Sequence, residues 1–177
     1  PLIERAIASV SQAGISNIEI SINYLADQFE KYFDERDTEI SIKLIQEKQK
    51  LGTAGSLSLT DQDDKDLLVC NADLVTDFDY IKLVLSSIEN DYDLVVGSRE
   101  FGTVIPFGVL RTKGKFIQEI QEKPEIKSDV AAGIYFLRRK ILKLLPNERL
   151  YDMPDLINCC LKNNLSVGLC PVLGSWI

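Results

Sequence analysis

The stretch DLLVCNAD, residues 66–73, decides the fold class of this chain. Its centre, LLVC, is apolar without the alternation of a half-exposed strand, which is typical of a strand covered on both faces of a mostly parallel sheet. Elsewhere the hydrophobic period switches between about 3.6 and about 2 residues, as it does where helices alternate with strands. We therefore expect an α/β fold in which helices flank a mostly parallel sheet.

Further elements are predicted on both sides of this stretch. Strand patterns lie at residues 17–22, 38–45, 92–98, 129–137 and within 166–177. The first helix is predicted to begin at Pro1 and to end at Gly14, which can adopt a left-handed conformation. Another is predicted to follow the two glycines within residues 51–57. Further helices are predicted at residues 24–33, 78–90, 139–145 and 153–164. Lys113 and Gly114, between two strand-like runs, predict a hairpin.

Length and composition favour one domain that does not bind nucleic acid. The 177 residues, 45% of them hydrophobic, can bury one good core. The formal net charge of -7 argues against a protein that neutralises a phosphate backbone with Lys and Arg. Neither an apolar run of about 20 residues nor a secretion signal is found in the sequence, so we expect no membrane contact and a cytoplasmic location.

The absence of histidine restricts the chemistry that the chain can perform. With no histidine and no CxxC pair among the four cysteines, a mixed zinc site and a Ser-His or Cys-His nucleophile pair are both excluded. The cysteines are expected to be free, buried thiols. Any reaction must use carboxylates, lysines, backbone groups and metal ions.

Asp73 is a candidate magnesium ligand at the polar end of the apolar strand. Ligands of open α/β sheets bind outside the carboxyl ends of the strands, and Asn71 and Asp73 point to the same side of an extended segment there. Mg²⁺ takes a few oxygen ligands and shares the rest with phosphates and water. The alternative is that Asp73 only caps a turn or helix. Asp77 and Asp79 are expected to begin the next helix.

Two more segments each allow two interpretations. LGTAGSL, residues 51–57, is either a turn or a loop whose glycines let a nucleotide lie against the backbone. In EKP, residues 122–124, the residue before proline is predicted to be extended, which gives Lys123 a defined direction. Glu122 and Lys123 could bind the hydroxyls and phosphate of a sugar phosphate, or could be a solvent-facing strand end.

The motifs together resemble one enzyme family. LGTAGSL, LLVCNAD, FGV, EKP, AAGIY, YDMPDLI and GSWI follow one another as in the sugar-1-phosphate nucleotidyltransferases, most closely the mannose-1-phosphate guanylyltransferase-like branch. The resemblance covers nearly the whole chain. It implies a Rossmann-like mixed sheet of the nucleotide-diphospho-sugar transferase type, a nucleoside triphosphate and a sugar 1-phosphate as substrates, and Mg²⁺ as the cofactor.

The resemblance also implies roles for individual residues. Asp73 would hold Mg²⁺ and, with Lys123, would serve catalysis, with Lys123 binding the sugar phosphate. The nucleotide would lie against Leu51, Gly52, Thr53, Ala54, Gly55 and Asn71. The sugar would be bound by Gly108, Glu122, Lys123, Ala131 and Ala132, with Gly133 beside them.

The chain departs from the family pattern at both ends and at one internal position. The family's first strand with its glycine-rich loop would precede Pro1, and its second metal-binding aspartate would follow GSWI. We therefore expect residues 1–177 to be a single domain lacking both pieces, to come from a longer polypeptide and to be inactive alone. Ala131 stands where relatives usually carry asparagine, so the identity of the sugar is left open. The identity of the base and the oligomeric state are open as well.

Three other functions compete with the enzyme. A non-catalytic regulatory homologue would bind a nucleotide sugar without making one. A nucleotide-sugar glycosyltransferase usually carries Asp-x-Asp at the strand end, whereas this chain has Asn71 and Asp73. A purely structural interaction domain would bind no nucleotide.

Overall fold

Helices and strands alternate along most of the computed structural model, which describes residues 1–34, 40–60 and 65–176. The α-helices are α1 Leu2–Gln12, α2 Ala26–Asp34, α3 Gly52–Gly55, α4 Ile81–Asn90 and α5 Met153–Lys162. Two 3-10 helices span Ser56–Leu59 and Arg139–Leu144. The strands are β1 Asn17–Ile22, β2 Ser41–Gln46, β3 Leu67–Cys70, β4 Leu94–Val104, β5 Gly108–Lys113, β6 Phe116–Glu122, β7 Glu125–Leu137 and β8 Val167–Pro171.

The central sheet has four strands in the order β3-β7-β4-β8. Strand β7 runs antiparallel to both β3 and β4, whereas β8 is parallel to β4. Three of the four strands therefore point the same way. The predicted mixed α/β architecture is confirmed, although two of the three pairings in this sheet are antiparallel.

Apolar side chains cover both faces of this sheet. Because successive residues of a strand face opposite ways, Val95 and Ile134 pack on one face with Leu83 of α4, while Leu94 and Leu137 pack on the other. That second face is covered by α5 and by the 3-10 helix at Arg139–Leu144. The LLVC strand lies at one edge of the sheet, and its side chains are partly buried on both faces.

A second, two-stranded parallel sheet pairs β1 with β2 in register from Asn17 opposite Ser41 to Ile22 opposite Gln46. Ile7 of α1 and Ala26 of α2 pack against Ile20 and Ile22. The predicted strand at 38–45 is present from Ser41 onward, and residues 38 and 39 lie outside the described part of the chain.

A long β-ribbon projects from the central sheet. Strands β4 and β7 continue well beyond their predicted ends, and Ile105 N donates to the Pro124 carbonyl where the ribbon passes into the β5-β6 hairpin. The hairpin turns at Lys113 and Gly114, as predicted. Its strands are solvent-exposed along their whole length.

Several element boundaries differ from prediction. The glycine pair opens only one α-helical turn, α3, followed by a 3-10 turn, and the polar run at 61–64 lies outside the described residues. The helix predicted from residue 78 begins at Ile81, where the Asp79 carboxylate accepts the Ile81 N–H at 3.0 Å.

Asp93, which is buried just before β4, forms an ion pair with the exposed side chain of Lys140. Its carboxylate lies 2.6 Å from Lys140 Nζ and accepts the Ser166 N–H at 3.1 Å. Burial raises the pKa of Asp93, but the bonds from Lys140 and Ser166 and the charges of Lys140 and Arg138 outweigh it, so the pKa lies below its ordinary value. The carboxylate is therefore charged at neutral pH.

The four cysteines are free thiols, as predicted, but only Cys160 and Cys170 are buried, whereas Cys70 and Cys159 are partly exposed. Burial raises the pKa of Cys70 to about 11, so this thiol is neutral at pH 7 and packs as an apolar side chain. Across residues 1–34, 40–60 and 65–176, no helix combines the length and apolarity needed to cross a bilayer.

Candidate functional site

A pocket of about 300 Å³ opens where strand β3 ends. The loop after β3 forms one side and residues 131–133 of β7 form another. Its lining residues are Asn71, Asp73, Leu74, Ala131, Ala132, Gly133, Tyr135 and Trp176. The pocket thus lies at the carboxyl end of β3, and ligands of open α/β sheets bind at such strand ends.

Asn71 is held closely against β7. Its N–H donates to the Gly133 carbonyl at 2.9 Å. A Cβ atom on Gly133 would lie 2.8 Å from Asn71 Nδ2, so only glycine leaves room for the amide in this position. The Asn71 side chain is therefore placed by β7 rather than by its own loop alone.

Asp73 is exposed at the pocket and lies in the same wall as Asn71. Within the described part of the chain, no group of three or more Cys, Asp or Glu side chains is arranged to hold a metal ion. The Asp73 carboxylate and the Asn71 amide alone do not provide a complete set of metal ligands. They do fit Mg²⁺, which commonly binds one or two carboxylates together with phosphates and water.

Asp77 does not start helix α4, so that part of the prediction is wrong. Its carboxylate accepts the Ser175 N–H at 2.9 Å, across 98 residues of sequence. Asp79 alone of the two acts at the helix start. Sequence distance concealed the Asp77 contact, because nothing in the local pattern marks a partner so remote.

The segment 51–55 packs against residues 149–153. The amides of Ala54 and Gly55 donate to the Tyr151 carbonyl at 3.1 and 2.8 Å, and the Thr53 amide donates to Asp152 Oδ1 at 3.0 Å. In return, Tyr151 N donates to the Leu51 carbonyl at 2.8 Å. The Leu51 amide donates to Glu47 Oε2 at 2.9 Å, so four amides of the segment are already bonded within the chain, and a nucleotide base would have to meet other groups of the loop.

Gly52 is required by this packing. Its φ of +79° lies in the left-handed region, and a Cβ atom there would lie 2.5 Å from Asp152 Oδ1 and 2.8 Å from the Tyr151 carbonyl oxygen. In this structure the absence of a side chain at Gly52 lets the chain lie close to the Tyr151 carbonyl and the Asp152 carboxylate.

Gly108, Glu122 and Lys123 lie together at the base of the hairpin. Gly108 and Glu122 are partners across β5 and β6. The prediction that Lys123 is extended is wrong: its φ is +46°. The reason is the transition from β6 to β7, where Lys123 N donates to the Phe107 carbonyl at 3.2 Å and the chain changes direction before Pro124.

The structure brings some of the predicted site residues together and leaves others apart. Asn71, Asp73, Ala131 and Ala132 share the pocket with Gly133. The segment 51–55 and the three residues at the hairpin base are outside its lining. Their binding roles remain predictions.

Three further residues line the pocket that were not predicted from the sequence: Leu74, Tyr135 and Trp176. Tyr135 follows the AAGI run on β7, and burial raises the pKa of its phenol, which stays neutral at pH 7. Trp176 belongs to the quoted GSWI motif and is the single tryptophan of the chain.

Comparison with known proteins assigns the family. The sequence model described as "Nucleotidyl transferase" matches residues 1–168. Mannose-1-phosphate guanyltransferase beta-A of Xenopus laevis is 24% identical over 152 residues, and mannose-1-phosphate guanyltransferase of Gibberella zeae is 29% identical over 156. Each match covers 80% of this chain and 42% of the relative, so the chain spans less than half the length of these proteins.

Solved structures show the same fold. HddC from Yersinia pseudotuberculosis complexed with GMP-PN superposes with a TM-score of 0.72 at 21% identity, covering 100% of this chain and 79% of that one. UDP-glucose pyrophosphorylase from Acinetobacter baumanii gives a TM-score of 0.70 at 17% identity, with 100% and 76% covered. The fold, the order of the motifs and the match over residues 1–168 agree, and the chain belongs to the nucleotidyl transferase family.

Proposed function

We propose that this protein transfers a nucleotidyl group from a nucleoside triphosphate to a sugar 1-phosphate, giving a nucleotide sugar and pyrophosphate. The observation that carries the proposal is the pocket in which Asn71 and Asp73 meet residues 131–133. Family membership and the names of the relatives, which are sugar-1-phosphate guanyltransferases, support it.

The reaction suits a chain without histidine. A phosphate oxygen of the sugar 1-phosphate attacks the α-phosphorus, the new O–P bond forms, and the bond to the β-phosphate oxygen breaks, so that pyrophosphate leaves with its electron pair. No covalent nucleophile on the protein is needed. The protein has to align the two substrates and stabilise charge.

Asp73 is proposed to hold Mg²⁺ with the triphosphate. At about 4 Å, each unit-charge repulsion between a bare carboxylate and a phosphate costs about 4 kcal/mol at an effective dielectric constant near 20. A bound Mg²⁺ would supply the opposite charge that both groups need. Asn71, in the same wall of the pocket, would offer an amide to the nucleotide.

The remaining roles are proposed from the family resemblance. The segment 51–55 would lie along the base, Gly108 and Glu122 would contact the sugar, and Lys123 would bind its phosphate. Residues 131–133 would line the sugar half of the pocket, with Ala131 allowing a different hydroxyl contact from asparagine.

The test is a panel of nucleoside triphosphates and sugar 1-phosphates, with pyrophosphate release measured for the full-length protein with and without Mg²⁺. Mannose 1-phosphate with GTP is the first pair to try. Release that depends on both substrates and on Mg²⁺ supports the proposal. Binding of a nucleotide sugar without release by any pair would identify a regulatory homologue instead, and no nucleotide binding would contradict both.

Two variant pairs test the residue roles. Asp73→Asn should lower kcat at least about 100-fold, the scale of removing a group that stabilises transition-state charge, whereas Asp79→Asn should leave kcat unchanged. Lys123→Met should raise the KM for the sugar 1-phosphate, with Lys115→Met at the hairpin tip as its matched control. Equal effects within either pair would contradict that assignment.

A further inference from the structure

The residues that follow β8 fold back to form part of the pocket wall. Residues 174–176 are called the strap here. Trp176 lines the pocket and is partly buried. Its indole Nε1 donates a hydrogen bond to the Ala132 carbonyl at 2.8 Å, which ties the strap to β7.

Three side chains from elsewhere in the fold hold the backbone of the strap. Asp77 accepts the Ser175 N–H at 2.9 Å. Thr76 Oγ1 donates to the Ser175 carbonyl and Arg99 Nη1 donates to the Gly174 carbonyl, both at 2.8 Å. Hydrogen bonds from the loop after β3 and from strand β4 therefore hold the strap in place.

Gly174 and Asp77 are fitted to each other. Gly174 has a φ of +96°, and a Cβ atom there would overlap Asp77 Oδ1. A glycine is needed for the backbone conformation and for the approach of the carboxylate. The contact as it stands therefore depends on glycine at position 174.

Arg99 contacts the strap twice. Besides its bond to the Gly174 carbonyl, its guanidinium lies 5.7 Å from the centre of the Trp176 ring, within the range of a cation–π contact. One side chain thereby restrains both the backbone of the strap and the ring that it carries.

We propose that Asp77 and Arg99 are positioning residues, which fix the strap so that the ring of Trp176 forms the sugar-facing wall of the pocket. The sugar assignment rests on the proposed function. Because Nε1 is bonded to Ala132, the indole offers its ring rather than its donor to the pocket. Because the wall is already ordered before the ligand binds, binding does not include the entropic cost of ordering it.

The first test follows the fluorescence of Trp176, taken as the difference spectrum between each variant and the same variant carrying Trp176→Phe. Asp77→Ala should shift the emission to longer wavelength and increase quenching by acrylamide. Asp77→Asn keeps an acceptor oxygen for the Ser175 N–H and should retain the native spectrum.

Asp79→Ala is the matched control for this test. It removes a neighbouring carboxylate that accepts the Ile81 N–H at the start of α4, so it loses a comparable bond without touching the strap. Its emission should stay native. If Asp77→Ala and Asp79→Ala give the same spectrum, the proposal is overturned. Should Asp77→Ala fail to fold, Arg99→Met takes its place, and a native spectrum in that variant overturns the proposal equally.

The second test measures KM values for mannose 1-phosphate and glucose 1-phosphate. Asp77→Ala should raise the KM of the sugar 1-phosphate about five- to tenfold, the factor corresponding to one lost hydrogen bond, with the KM of the nucleotide little changed. Equal changes in both KM values would contradict the sugar assignment of Trp176. If no sugar 1-phosphate is used at all, the proposed function fails, while the fluorescence test still decides whether Asp77 and Arg99 hold the strap.

Discussion

Substituting Gly52 by alanine tests whether the glycine-rich segment is shaped by its packing on residues 149–153. The matched control is Gly14→Ala. The two glycines have nearly the same φ, +79° and +81°, but a Cβ atom on Gly14 would have no neighbour within 4 Å, whereas one on Gly52 would lie 2.5 Å from Asp152 Oδ1 and 2.8 Å from the Tyr151 carbonyl oxygen.

The magnitude follows from this difference. A left-handed alanine costs about 1–2 kcal/mol in either variant, and the gain from a stiffer unfolded chain is shared by both. Gly52→Ala carries in addition the cost of overpacking, about 1–3 kcal/mol, because the nearest atoms include a backbone carbonyl that cannot move freely. We expect it to lose about 2 kcal/mol more than the control, or roughly 4–8 °C in Tm for a chain of this size.

Urea unfolding followed by circular dichroism measures the free energies, with the slope of each transition compared between variants. The double variant Gly52→Ala with Asp152→Ala should recover part of the added loss, since one of the two overlapping atoms is gone. If Gly52→Ala and Gly14→Ala lose the same free energy within about 0.5 kcal/mol, the spread of independent sites, then the 149–153 contact does not constrain Gly52.

Three further outcomes follow from the structure. Asp93→Asn should lower the free energy of unfolding by about 1.5 kcal/mol at pH 7. Because the folded-state pKa of Asp93 is depressed, the difference should shrink as the pH falls below about 3.9. Gly133→Ala should displace the Asn71 side chain and weaken nucleotide binding several-fold, as measured by calorimetry. Unchanged binding would contradict the proposed contact of Asn71 with the nucleotide. Cys70, whose thiol has a pKa of about 11, should react with iodoacetamide far more slowly in the folded than in the urea-unfolded protein.

Local patterns predicted most of the architecture. The apolar LLVC strand, the alternating strand at 17–22, the hairpin at Lys113 and Gly114, and the helix predicted from residue 153 are all present. These features could be predicted because each depends on residues within one or two turns or strands of one another. The ends of the strands were less predictable, because β4 and β7 are longer than their local patterns indicate where they pair with each other in the ribbon.

The candidate site was predictable in part. Asn71, Asp73, Ala131 and Ala132 were identified from their motifs, and the structure places them in one pocket. The conformation of Lys123 was not, because the rule for residues before proline describes an isolated dipeptide, whereas here the exit from the hairpin imposes a left-handed turn. The segment 51–55 was recognised from its glycines, but its partner at residues 149–153 lies about 100 residues away.

By itself the sequence determined the α/β class, the order of the elements, the family resemblance and the absence of any histidine chemistry, because these depend on residue type, period and spacing. Only the tertiary structure decided which groups meet: Asn71 with Gly133, the segment 51–55 with Tyr151 and Asp152, and Asp77 with Ser175. Such contacts join segments far apart in the chain. Their formation depends on how the sheet and its loops pack, and no local pattern records that packing.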